Sequence, residues 1–135
     1  MQRAFAMMMT LVFGLLLTTA PSLGAQAAAP PAGTLRHIVV FKYKPGATEE
    51  QIKQVMDAFV ALKTKIPGIV SIEHGVNNSP EKKNLGFTHA FLITFESAAA
   101  RDTYLPHPEH KKFGELLGSL KVMEDVFVVD YEPAK

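Results

Sequence analysis

The stretch that most limits how this chain can fold is LRHIVVFKYK, residues 35–44. Its β-branched and aromatic residues alternate as a strand does. Leu35, His37, Val39, Phe41 and Tyr43 share one face, and Ile38 and Val40 the other. Both faces are apolar at the centre, so this strand has to be covered on both sides. Everything else in the sequence must supply those two covers.

The first cover follows directly. In PGATEEQIKQVMDAFVALKTKIPG, Ile52, Val55, Met56, Phe59, Leu62 and Ile66 recur at helical spacing and form one apolar stripe. Thr48 with Gln51 three residues later fits a capping box, and Glu49 and Glu50 suit the positive end of a helix. Pro67-Gly68 stops it. IVSIEHGV (69–76) and FTHAFLITFES (87–97) read as two more strands, joined by the polar, turn-rich NNSPEKKNLG. In the latter strand Phe87, His89, Phe91, Ile93 and Phe95 share a face. SAAARDTYL begins a helix with Ser97 as cap, Pro106 and Pro108 interrupt it, and EHKKFGELLGSL resumes. VMEDVFVVDYEP closes the chain as a fourth strand. The order β-α-β-β-α-β predicts an α+β, ferredoxin-like antiparallel sheet with helices on one face. The uncovered face would carry Ile38, Val40, Ala90 and Leu92. That patch is too apolar to stand in water, so a second copy packed sheet to sheet is expected.

The first residues have a different character. Arg3 precedes an apolar run from Phe5 to Ala20, followed by Pro21, Gly24 and the small-residue Ala25-Gln26-Ala27. This is the pattern of a secretory signal peptide over 1–27, cut after Ala27, and the run is short of the roughly 20 residues a membrane span needs. No cysteine follows it, which excludes a lipid-anchored form. A periplasmic or secreted domain is therefore expected, with no stable membrane anchor after cleavage. AAPPAG, 28–33, reads as a linker to a single domain at 34–133. Without the leader, Lys and Arg number one fewer than the chain's 14 and balance its 13 Asp and Glu. Such neutrality argues against nucleic acid as a partner. Without cysteine, an exported domain this short has no disulfides and depends on its apolar core.

The motifs LRHIVVFKYKPGATEEQI, IPGIVSIEHGVN, FTHAFLITFES and YLPHPEHKKFG together resemble the stress-responsive A/B barrel domain (Dabb) family, a branch of the dimeric α+β barrels. The resemblance covers essentially the whole expected domain. It implies a homodimer and, by similarity to a polyketide cyclase of that family, cofactor-free acid/base chemistry of the cyclase or lyase kind on a carbonyl compound. Matched motif to motif, it puts the catalytic tyrosine and histidine on Tyr104 and His110, and two pocket histidines on His37 and His89. His107 also has a counterpart. Phe59 stands where that cyclase has a pocket tyrosine, which implies a differently shaped pocket and a different substrate.

The residues themselves leave alternatives open. Pro108 fits the first helical position, making His107 the cap and placing His110 in the first turn. The two imidazoles then do not stack on one helix face as a zinc pair would, and no metal is expected. A first-turn site at the positive end of a helix dipole suits an uncharged His110, available as a general base. Tyr104, one turn back, could orient a carbonyl and stabilise an enolate. Against this, His110 could simply bond a local carbonyl. His37 and His89, on neighbouring strands among apolar residues, suggest the polar end of one pocket that Phe59 and Phe91 would line. His74, before Gly75, is expected to face solvent, as are the EKK and HKK runs. Three functions fit: an exported enzyme or binder of a small apolar ligand, a non-catalytic stress or scaffold dimer, or a haem-binding barrel. No firm haem motif is present, and no cofactor is expected.

Overall fold

A computed structural model describes residues 33–134. The expected leader at 1–27 and the linker at 28–33, apart from Gly33, lie outside the described residues. The elements run β1 (Leu35–Tyr43), α1 (Glu49–Val60), α2 (Leu62–Lys65), β2 (Ile69–Val76), β3 (His89–Phe95), α3 (Ala98–Tyr104), α4 (Pro108–Leu120) and β4 (Met123–Tyr131). The four strands form one antiparallel sheet in the order β2-β3-β1-β4. This is the expected split β-α-β-β-α-β arrangement, with β1 in the interior.

Local chemistry sets the helix boundaries. Thr48 accepts from the Gln51 backbone N–H at 3.3 Å, and the Gln51 side chain accepts from the Thr48 N–H at 3.0 Å. That reciprocal cap contributes about 1 kcal/mol. The single helix expected through Ile66 breaks at Ala61 into α1 and α2. There the Thr64 hydroxyl donates to the Ala61 carbonyl at 3.1 Å, and the backbone tightens to a Thr64-to-Ala61 bond. Gly68 ends the segment at φ +87, and a Cβ there would lie 2.7 Å from that of Ala100. Only glycine allows both the turn and this approach.

The helices cover the face that carries Val39, Phe41, Phe91, Ile93 and Phe95, all at most 4 % exposed. At its centre Phe59 of α1 meets Phe91 at 4.3 Å and Phe113 of α4 at 5.0 Å, and Phe41 lies 5.8 Å from Phe59. Such ring pairs add about 0.5–1.5 kcal/mol each beyond their buried area. On the opposite face Ile38, Val40 and Leu92 are half-buried and Ala90 exposed. Phe127 and Val129, opposite Val40 and Ile38 in the β1–β4 register, extend that apolar face with exposures of 50 % and 38 %. Even on its helix-facing side, edge strand β4 leaves Val126 and Val128 exposed.

Candidate functional site

The turn between α3 and α4 is built by its caps. Ser97 starts α3 by accepting from the Ala100 N–H, and Tyr104 is its last residue. His107 is the N-cap of α4: its Nδ1 accepts from the Glu109 backbone N–H at 3.2 Å, and Pro108 follows at the helix start. His107 thus has the capping role expected of it. The proline break turns the chain so that the ring of His110 lies 4.2 Å from that of Tyr104, inclined by 36°.

His110 Nδ1 lies 3.0 Å from the Leu105 carbonyl. A carbonyl can only accept, so this nitrogen donates, and in the neutral ring Nε2 is left with its lone pair. The local bond foreseen as the mundane alternative is therefore present. It also fixes the tautomer that a general base at Nε2 requires. Tyr104 is fully buried, and its hydroxyl has no hydrogen-bond partner among the described residues. Burial pushes its ionisation well above the ordinary phenol range, so it remains a proton donor. A buried hydroxyl without a partner costs about 1–3 kcal/mol, a cost that the buried, unpartnered Tyr43 hydroxyl shares; what sets Tyr104 apart is the histidine ring against it.

His37 joins the same locale from β1. Its ring stands 6.0 Å from that of Tyr104, and its Nδ1 meets Asp130 Oδ1 at 2.5 Å. The β1–β4 register places Asp130 opposite His37. The other oxygen of Asp130 accepts from the Arg101 guanidinium, which also bonds Asp102 at 2.7 Å. These two carboxylates hold Arg101 firmly charged. A chain Arg101–Asp130–His37 therefore ends beside the Tyr104 ring. Sequence reasoning missed Asp130 and Arg101. Asp130 carried a signal: in VFVVDY it is an acid at an inward position of an otherwise apolar alternation.

The other expected site residues do not converge there. His89 pairs with Phe41, whereas His37 pairs with Ile93, so the register separates the two histidines by four residues of β1, about 13 Å. The single polar pocket end expected of them is divided in two. Phe59 and Phe91, expected to line that pocket, are 2 % and 0 % exposed and form the aromatic wall between the halves. None of the four concavities described, the largest about 680 Å³, is lined by His37, Tyr104 or His110. That largest one lies beside α1 and takes in His89 and His74. His74 is exposed, as expected, but its ring stacks on Phe91 at 5.6 Å on the helix-facing side. Among the described residues no group of three or more His, Asp or Glu could hold a metal ion.

Known proteins share this framework. Olivetolic acid cyclase from Cannabis sativa is 32% identical over 101 residues, spanning 75% of this chain and 98% of that protein. The solved structure of hydroxynitrile lyase from Passiflora edulis superimposes with a TM-score of 0.70 at 27% identity, over 78% of this chain and 97% of that one. A dimeric ferredoxin-like protein from Jannaschia matches with a TM-score of 0.64 at 30% identity, over 75% of this chain and 100% of its own. The family model described as the stress responsive A/B barrel domain matches residues 35–133, all of the sheet and helices described above, and the chain belongs to that family.

Proposed function

We propose that the Tyr104–His110 locale carries out cofactor-free acid/base chemistry on a small carbonyl compound. The observation that carries this reading is the unpartnered, buried Tyr104 hydroxyl beneath a histidine whose Nδ1 is committed to the Leu105 carbonyl. In the proposed step the Tyr104 hydroxyl donates to the substrate oxygen. His110 Nε2 takes a proton from the adjacent carbon or oxygen, and the negative charge develops on the oxygen that Tyr104 holds. The Asp130-held His37 sets the polarity of the inner wall. Two relatives named for reactions that make or break a bond beside a carbonyl, a cyclase and a hydroxynitrile lyase, support this class of reaction. Because Tyr104 is enclosed, a ligand reaches its hydroxyl only where the packing around the ring opens. Mandelonitrile cleavage and exchange of the α-protons of 2-octanone in D2O test the reading. Turnover by the wild type that falls at least ~100-fold in His110→Phe and Tyr104→Phe is the expected result. Unchanged turnover in both variants refutes the assignment.

The competing reading, a non-catalytic dimer, draws on the same enclosure of Tyr104. It predicts no turnover of either probe and no response of the Tyr104 and His110 resonances to them.

Homodimer formation is part of the proposal. The open face with Ile38, Val40, Leu92, Phe127 and Val129 asks for a cover, and several similar solved proteins are described as dimeric. Light scattering of Phe127→Glu should show a monomer where the wild type shows a dimer. Export rests on the leader pattern at 1–27. N-terminal sequencing of protein from an expressing bacterium should begin at Ala28 in the periplasm or medium, and an intact Met1 there contradicts cleavage.

A further inference from the structure

On the open face of the sheet, away from the helices, side-chain size rises from one edge to the other. The strand registers align Gly75, Ala90, Val40 and Phe127 in one row, running from β2 through β3 and β1 to β4. Ser71, Thr94, Arg36 and Tyr131 form a second row with the same gradient. The row between them, Glu73, Leu92, Ile38 and Val129, is more even.

Gly75 is the member of the gradient that its own chain does not explain. It lies within β2, its φ is not positive, and a Cβ added there would meet nothing within 4 Å. Glycine weakens a strand, and neither backbone geometry nor crowding among the described residues calls for it here. A strand glycine of this kind marks a place that another surface approaches closely. With Ala90 beside it, Gly75 leaves a depression: a groove of about 520 Å³ is lined by Gly75, Ala90 and Val40 and ends at Phe127. At that far edge Phe127 stands up from the same face, 50 % exposed, with Phe87 edge-on to its ring at 6.3 Å. Three strand spacings, about 14 Å, separate Phe127 from Gly75, so the ring does not fill the depression of its own chain.

A second copy supplies that ring. Two identical sheets meeting face to face across a two-fold axis have two ways to do so. With the axis along the strands, β4 of each copy lies over β2 of the other, and the tall edge meets the low one, row on row. With the axis across the strands, β4 meets β4 and β2 meets β2. Two Phe127 rings then collide, while Gly75 faces Gly75 over a void, which close packing disfavours.

We infer that the open faces pair with the two-fold axis along the strands, each Phe127 seated on Gly75 and Ala90 of the other copy, and that Gly75 is small to receive it. The arrangement rests on the homodimer proposed above and adds its orientation and the residue that sets it.

Isotope-filtered NOE spectra test it in the wild type, using dimers mixed from protein with 13C-labelled alanine methyls and unlabelled protein. Expected are contacts between protomers from the Ala90 methyl to an aromatic ring, absent in Phe127→Leu. Dissociation constants measured on dilution give a second readout. Gly75→Leu should weaken the dimer about 100-fold by filling the seat, and Phe127→Ala should weaken it to a similar extent by emptying it. The two changes together in one chain should recover most of the loss, because the seat is then filled from its other side. With the axis across the strands, Gly75→Leu would instead fill a void and tighten the dimer. A dimer without the Ala90 contact overturns the inference, as does one that Gly75→Leu tightens or leaves unchanged. A protein that stays monomeric at every concentration removes the homodimer itself, so the two failures remain distinguishable.

Discussion

The two ends of the helix-covered face pair a tyrosine with a histidine in opposite ways. Beside the α3–α4 turn, Tyr104 is sealed and each neighbouring polar side chain has one fixed partner: a backbone carbonyl for His110 Nδ1, Asp130 for His37, and Arg101 for Asp130. Beside α1, Tyr43 and His89 are half-buried, no acid fixes the imidazole, and open space adjoins it. The same residue types therefore produce a preorganised polar locale at one end and an adaptable cleft at the other. What differs is the set of partners that register and caps deliver. The first arrangement suits proton transfer, where geometry must not relax.

Breaching the wall between the two ends should have the largest effect. Phe59→Ala removes a ring that is 2 % exposed and should cost about 3–5 kcal/mol in urea denaturation. A surviving fold whose Tyr104 and His110 resonances are unmoved would show that the wall does not shape that end of the face. Asp130→Ala comes next. It leaves His37 without its partner and deprives Arg101 of one of its two acids, so about 2 kcal/mol of stability should be lost. Asp130→Asn, which keeps an acceptor, should recover part of that. At the α1 end, His89→Leu should alter stability by less than about 1 kcal/mol.

The ionisation of the tyrosines sharpens the comparison. Burial raises Tyr43 to about 12 and pushes Tyr104 higher still. Both folded values lie above the unfolded value, so this contribution to stability is complete below about pH 10 and lost as pH rises toward and through the folded values. Stability measured from pH 9 to 12 should therefore decline, and Tyr104→Phe and Tyr43→Phe should each flatten the decline by a similar amount. An identical slope in all three proteins contradicts the raised ionisation of the two hydroxyls. His89 acts in the other direction: its lowered value makes stability fall as pH drops below about 6.5, and His89→Leu should remove that small component.

Much of the fold was legible because its signals are local. The Thr48 capping box, the Ser97 and His107 caps and the Pro108 helix start each act within three residues, and all appear as read. The candidate site was legible only where it too is local, in Tyr104, His107 and His110. The rest depends on strand register, which alternation does not disclose. Periodicity places His37 and His89 on one face of adjacent strands, but pairing with Ile93 rather than His89 sets the distance between them. The same register brings Asp130 to His37 across 93 positions of sequence. Phe59 and Phe91 read equally well as pocket lining or as wall, because apolar spacing carries no information on whether space is left beside them.

The tautomer of His110 tests the central claim most directly. Long-range 1H–15N spectra of the ring, recorded above pH 7, should show a protonated Nδ1 and an unprotonated Nε2, the state that the Leu105 carbonyl imposes and that a base over Tyr104 needs. A ring protonated at Nε2 with Nδ1 bare would mean that the carbonyl does not hold it, and the acid/base reading of this turn would be wrong.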